Sequence, residues 1–420
     1  MEEKFDYVQM KIFKQFKCDG SKCNSHCCKG WRITVDNDTF EKYRELGLEE
    51  FFKYNDEIKQ NMFIMTSDGI CPMLGDDGLC KIQKKHGEDF LSDTCKYYPR
   101  FIKNFGNMFF ERILTITCPV VADLILKQKK PIEFETVKDY PINVAGLVGA
   151  GLTAQQIDNI LQIQMTVTKI LQNRRMTIDQ RFLTLGFFFS EVGDVQHGGD
   201  NPEKLHDDIQ MLQKLCTSKK FAKEHLPKFC KSIKFDSYEY IRVMLNLMEA
   251  LFGEDSKLAP TRFSMQKYFA SHNKIFEIEP DVSGQASLSF KSIEDKYLAL
   301  DKIRDRVLKD FSHVIENYLV NEFWVQIYPY RITNLSLFGH YYLFVISYKM
   351  QEFLLILHLE NLRREQSKLS DSQIENEIID LFKAFAHMLV HNREFIEKMS
   401  ETAKTKNDDI FEMMKSMLRV

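Results

Sequence analysis

Beyond residue 150, apolar residues recur at helical spacing along most of the chain. Ile157, Ile160, Leu161, Met165 and Ile170 mark one helical face, preceded by Leu152-Thr153-Ala154-Gln155-Gln156, in which Thr153 and Gln156 form a capping-box pattern. Further stripes run through Ile241, Leu245, Met248 and Phe252, then Ile303, Val307 and Phe311, then Leu381, Phe385, Met388 and Leu389. Each predicts a helix that buries one face against a common core. Gly193, Gly198, Gly199 and Pro202 predict a surface loop over about 193–206, a second loop spans roughly 253–290, and Ser367 to Ser372 form a short polar connection. The apolar run Tyr341 to Tyr348 is interrupted by Lys349 and Glu352. It falls short of the ~18–20 apolar residues of a membrane span and reads as a buried helix.

The first ~125 residues lack this periodicity and carry turn signals instead, at Cys18-Asp19-Gly20-Ser21, Leu74-Gly75-Asp76-Asp77-Gly78 and Tyr98-Pro99. A basic stretch, Lys127-Gln128-Lys129-Lys130-Pro131, then leads through a short β-like segment into the helical remainder. The predicted fold is mainly α, with a loop-rich cysteine-cluster metal-binding module over 1–130 and a large helical body over 131–420. Composition agrees, since only 18 Gly and 10 Pro leave few turns, and 34 Phe with 18 Met supply a large aromatic core. Lys+Arg 57 against Asp+Glu 60 provides no basic field to attract nucleic acid or an anionic membrane, and neither is expected as a partner.

Cysteine placement carries the chemistry. Of ten cysteines, Cys18, Cys23, Cys27, Cys28, Cys71, Cys80, Cys95 and Cys118 precede residue 119. The acidic start, Met1 to Tyr7, lacks the apolar core of an export signal, so a reducing cytoplasm and metal-binding thiols are expected in place of disulfides. Zinc or a 4Fe-4S cube takes four thiolates, so the eight fit either two metals or one cluster with supporting cysteines. The Cys-x3-Cys-x2-Cys spacing of radical S-adenosylmethionine enzymes is absent, because Cys23-x3-Cys27 is followed at once by Cys28; paired zinc-ribbon knuckles are absent too. Cys216 and Cys230 read as unligated. Gly146-Leu147-Val148-Gly149-Ala150-Gly151 does not follow the dinucleotide-loop order and reads as a loop before a helix. His387 and His391 share a helix face, but Met388 stands where a zinc protease has glutamate, so they read as core or capping residues.

Taken together, Cys18, Cys23, Cys27-Cys28 with Gly30-Trp31, Cys71-Pro72, Gly78 to Gln83, Leu91 to Cys95, Tyr98-Pro99-Arg100 and Cys118-Pro119 resemble the flagellin lysine-N-methylases. These are related to zinc- or iron-chelating proteins with a Cys-x2-Cys-x2-Cys-Cys signature. Asn317 to Asn321, Tyr328-Pro329, His340 to Tyr348 and His391-Asn392 extend the likeness into the second half. The spacing here is x4 and x3, and Val120 stands where the family pattern leads one to expect an acid. The resemblance implies methyl transfer from S-adenosylmethionine to flagellin lysines in the cytoplasm, by a protein carrying a 4Fe-4S cluster, with zinc as the alternative metal. The transfer needs a neutral amine, so Tyr97 and Tyr98, next to Cys95, are candidates for proton uptake. Arg100 is the candidate partner of the cofactor carboxylate, against a local ion pair, and Trp31 is either a stacking surface for the cofactor or a lid over the metal. The competing function is a non-catalytic metal-binding protein or redox adaptor.

Overall fold

Strands that pair across long sequence distances shape the N-terminal third. The computed structural model describes residues 4–18, 23, 26–141, 146–148, 152–192, 202–252, 259–276, 290–326, 337–366, 368–391, 397 and 414–420. Its strands are β1 (Lys4–Met10), β2 (Thr34–Val35), β3 (Phe52–Asn55), β4 (Gln60–Phe63), β5 (Arg100–Phe105), β6 (Phe109–Leu114), β7 (Phe134–Pro141) and β8 (Gly146–Val148). They form a five-stranded sheet in the order β7-β1-β6-β5-β8 and a three-stranded sheet in the order β2-β4-β3. β1 runs parallel to β6, with Tyr7 opposite Phe110, and antiparallel to β7, with Tyr7 opposite Val137. The β5–β6 hairpin turns through Gly106 and Asn107, both at φ 59, a left-handed conformation that these two residue types adopt at least cost.

Short helices α1 (Asn37–Glu45), α2 (Lys81–His86), α3 (Asp93–Tyr97) and α4 (Pro119–Leu126) complete this region. The expected loop-rich module therefore contains two sheets. Its strands are short and their partners distant, so no local alternation betrays them. β7 lies past residue 130, so the larger sheet spans the expected boundary.

The helical body comprises α5 (Ala154–Leu171), α6 (Ile178–Val192), α7 (Pro202–Cys216), α8 (Leu226–Lys231), α9 (Ser237–Phe252), α10 (Ala259–Phe276), α11 (Phe290–Leu298), α12 (Asp301–Asp310), α13 (Ser312–Val325), α14 (Leu337–Gln366) and α15 (Asp371–His391). The predicted capping box starts α5: Gln156 N–H donates to Thr153 Oγ1 at 3.3 Å and Thr153 N–H to Gln156 Oε1 at 2.8 Å. Helices reach into two of the expected loops. α7 begins at Pro202, inside the loop expected at 193–206, and α10 occupies much of 253–290. The α10 face hides in sequence because buried Ser271 and His272 interrupt its apolar Met265, Tyr268, Ile275 and Phe276. Residues 149–151, 193–201 and 277–289, Tyr328-Pro329 and Asn392 lie outside the described residues.

α14 contains the apolar run Tyr341 to Tyr348. By length and composition alone it could cross a membrane, yet its most apolar window is wholly buried inside the protein. The charges that interrupt the run have partners there: Lys349 pairs with Asp179 and Glu352, and Arg304 donates to Glu352 at 2.8 Å and to Asp179 at 2.6 Å. An interior charge persists only when compensated in this way.

α13 is likewise buried along its length and fastens the two halves together. Asn317 Nδ2 donates to the carbonyls of Ile125 and Gln128, and Asn321 Nδ2 to that of Leu114 at 2.7 Å. Buried Lys103, paired with Glu111 at 2.9 Å, also donates to the Trp324 carbonyl, and the Trp324 ring stacks on Phe134 at 4.2 Å. One large core consequently runs from β1, β6 and α4 through the helices, while a second, small core lies under α1 and the three-stranded sheet.

Candidate metal centre

Backbone hydrogen bonds bring the distant cysteines together. Cys27 and Cys28 lie on a single 3-10 turn. The Cys28 carbonyl accepts from the Cys71 N–H at 2.8 Å, Lys29 bridges Ile70, and Gly30 N–H donates to Gly69 at 2.8 Å. Gly30 at φ 78 and Gly69 at φ 70 face each other, and a Cβ on Gly69 would stand 3.8 Å from the Gly30 backbone. The left-handed backbone at both positions favours glycine. From Cys71 the chain folds back, with Leu74 bridging Cys80 and Lys81 N–H donating to Met73 at 2.8 Å. Cys95 lies on α3, whose cap Ser92 accepts from the Cys95 N–H through Oγ. Asp36 caps α1 through Thr39 and reaches the Asp93 N–H at 3.0 Å, so one carboxylate ties both helices. Cys71 thereby joins the small core of Ile33, Val35, Tyr43 and Phe63, with Cys28, Cys80, Cys95 and Trp31 packed against it.

The eight candidate thiols fall into two groups. Cys28 and Cys95 each lie within electrostatic reach of Cys27, Cys71 and Cys80. Cys118, buried in the large core at the start of α4, is instead in reach of Cys23 and Cys18. Cys28 donates to Cys27 across 3.9 Å, which holds the Cys27 thiol down to about 7 and drives Cys28 well above the usual thiol range. Burial pushes Cys71 and Cys118 up to about 11 and Cys95 up to about 12. Among the described residues, no three His, Cys, Asp or Glu side chains are arranged to hold one metal ion. Outside both groups, Cys216 is buried in the helical core, and burial raises its thiol to about 12. Cys230 is half-buried on α8.

The candidate cofactor and proton residues flank the first group. Trp31 donates its indole N–H to the Cys27 carbonyl at 3.0 Å and stacks on Tyr98, with centroids 5.7 Å apart. The indole therefore lies against the thiol turn. Tyr98 packs against the large core while stacking on Trp31 of the small one, and its hydroxyl lies 3.0 Å from Oγ1 of buried Thr117. Burial keeps its phenol well above the ordinary range, so it serves as a neutral hydrogen-bonding group. Tyr97 is half-buried at the end of α3. Arg100 opens β5 with its guanidinium 4.9 Å over the Phe16 ring, and no carboxylate pairs with it among the described residues. A cleft of about 440 Å³ elsewhere, lined by Phe235, Asp301, Arg304 and Arg419, contains none of these residues.

Sequence reasoning missed three supports. Ser92 was signalled by its place three residues before Cys95, and Asp36 by the helix that follows it. His387, on α15, meets the thiol turn from the other half of the chain, and no local signal announces this: a Cβ on Gly30 would stand 3.2 Å from its Cε1.

This architecture defines a class: a helical protein that carries a cysteine-lined site on a small module locked to its body. A model described as the FliB lysine N-methylase C-terminal domain matches residues 164–418, and the chain belongs to that family. It is 32% identical over 148 residues to the lysine-N-methylase of Salmonella typhimurium strain LT2, covering 32% of this chain and 37% of that protein. The flagellar biosynthetic protein FliU of Salmonella muenchen is 36% identical over 121 residues, covering 26% of this chain and 71% of that protein. A lysine-N-methylase of Salmonella choleraesuis strain SC-B67 is 33% identical over 147 residues, covering 32% of this chain and 36% of that protein. The matched stretch spans little more than a third of the two lysine-N-methylases. No solved structure matches the chain.

Proposed function

We propose that the protein transfers methyl groups from S-adenosylmethionine to flagellin lysines in the cytoplasm. A 4Fe-4S cluster would sit on Cys71, Cys80 and Cys95 together with one of Cys27 and Cys28. Membership of a lysine N-methylase family carries the reading of the reaction. The flagellar name of the Salmonella muenchen relative supports the substrate. The donor set supports the cluster, since iron-sulfur cubes are held by cysteine thiolates and the grouped donors are all cysteines. A cube binds each thiolate to a different iron. Four soft thiols, Cys28, Cys71, Cys80 and Cys95, share one small apolar core with Cys27 beside Cys28, the donor type and number that a cube takes.

When bound, S-adenosylmethionine supplies an electrophilic methyl group, and the cluster supplies irons held by thiolates. The chain's own residues do the rest. Arg100 receives the cofactor carboxylate, its plane set by Phe16 beneath it. Trp31 covers the thiol turn and keeps water off it. A lysine ammonium must lose a proton before it can attack. Tyr98 is committed to Thr117 as a phenol and orients neighbouring groups, so Tyr97 is the tyrosine this reading retains to relay the ammonium proton through its hydroxyl to solvent water.

The test is the full chain purified without oxygen and given flagellin and S-adenosylmethionine, with peptide mass spectrometry for methyl-lysine. We expect about four irons and four sulfides per chain, as one cube requires, cofactor-dependent methyl-lysine, and loss of iron in C95S. A colourless zinc protein that methylates flagellin would refute the cluster. Iron-loaded protein that neither binds the cofactor nor methylates would refute the enzyme reading and favour a non-catalytic metal-binding or redox adaptor protein.

A further inference from the structure

The thiol turn is fastened from two directions. On one side Gly69, Ile70 and Cys71 hold its backbone. On the other stands His387, more than 350 positions along the chain. Its imidazole N–H donates to the carbonyl of Lys29, the residue after Cys28. Its Cε1 lies so near Gly30 that a Cβ there would be 3.2 Å away, tighter than ordinary van der Waals contact. α15, which carries His387, is itself anchored: Phe382 stacks on Tyr318 of α13 at 3.9 Å, and Ile378, Phe385 and Met388 are buried in the large core. A residue fixed by one core thus touches the turn that presents Cys27 and Cys28 to the other.

We propose that His387 is a positioning residue for the turn Cys27 to Gly30, so that the candidate metal centre is completed by the helical body. The functional consequence rests on the reading above that this turn carries a cluster ligand; the positioning itself does not. The indole of Trp31 holds the Cys27 carbonyl and the imidazole of His387 holds the Lys29 carbonyl, two residues apart. Together they fix the direction in which the intervening Cys28 leaves the backbone. The Cys27 to Gly30 turn lies outside the span that the family model matches, whereas His387 lies within it. The contact therefore joins the two parts of the molecule at the thiols.

The experiment compares the full chain with its H387A and H387Q variants by hydrogen exchange and by iron content after anaerobic purification. H387A should exchange roughly tenfold faster at the Gly30 and Cys71 amides, as loss of one hydrogen bond beside them predicts. The amides of α13 and α14 should keep wild-type rates, which separates local loosening from failure to fold. H387Q, whose amide N–H can serve the same carbonyl, should recover most of the protection, and the iron-dependent visible spectrum should shift in H387A and return in H387Q. Unchanged exchange at Gly30 and Cys71 in H387A would overturn the proposal, as would equal loosening in both variants. If the wild-type protein holds no iron, the cluster reading fails, and the exchange data alone decide the role of His387.

Discussion

Replacing Gly30 with alanine tests the junction between the two halves at a single methyl group. The φ of 78 is left-handed, which costs an L residue roughly 1–2 kcal/mol. The new Cβ would also sit 3.2 Å from His387 Cε1, so the ring must give by a few tenths of an ångström. That displacement strains its hydrogen bond to the Lys29 carbonyl, worth about 1 kcal/mol. G30A should therefore cost about 2–3 kcal/mol in the wild-type background. In H387A only the backbone cost remains, so G30A should cost about 1–2 kcal/mol there, a coupling of about 1 kcal/mol in the double-mutant cycle. Trp31 adjoins this turn and reports on it, so urea unfolding of the four proteins followed by fluorescence supplies the numbers. Equal costs in the two backgrounds would mean that His387 and Gly30 do not touch in solution. A neutral G30A would mean that the turn is not left-handed.

Two further expectations concern the helical body. An ideal Cβ on Gly186 in α6 would lie 2.7 Å from the Tyr341 hydroxyl, which donates to the Phe182 carbonyl at 2.9 Å. The buried ring has little room to move, so overpacking should outweigh the ~1 kcal/mol helix-propensity gain, and G186A should lose about 1–3 kcal/mol in urea melts; a stabilised G186A would contradict the packing. Burial opposes the charge of Glu377, but bonds from His358 and Lys267 outweigh it and hold the carboxyl at about 2 against an ordinary 4.5. A depressed folded pKa gives stability that is present above about 4.5 and is lost as pH falls through about 2. With a quarter of the side chain exposed, the screened contribution is about 1–2 kcal/mol. Between pH 5 and 2, stability should therefore fall by that much more in the wild type than in E377Q, and parallel curves would sink the assignment.

Local signals were legible where one segment carried its own instructions. The Thr153–Gln156 box and the stripes of α5, α9, α12 and α15 are written within a few turns of chain, and the structure repeats them. α10 was not, because polar Ser271 and His272 lie on its buried face, and the partner of Ser271, His358 at 2.9 Å, is one that only the fold supplies. The sheets were hidden for a related reason: Tyr7 finds Phe110 and Val137, and nothing near Tyr7 says so. For the site, residue type identified all eight thiols but not their grouping. Cys23 and Cys27 are four apart in sequence, yet Cys23 is grouped with Cys118 and Cys27 with Cys71, Cys80 and Cys95. Spacing cannot report that division when the backbone turns between them.

The strand order has a consequence for how the molecule comes into being. β1 lies between β6 and β7, so it waits during synthesis for residues 109–114 and then 134–141 before both its edges are paired. All eight N-terminal cysteines emerge in that interval. The clasp of Asn321 and Trp324 on the sheet, and of Asn317 on α4, arrives later still. Such long-range closure is slow relative to helix formation. The thiols around the small core are therefore complete in sequence while the larger sheet is still open, and any metal inserted during synthesis would meet them before the helical body closes over the sheet.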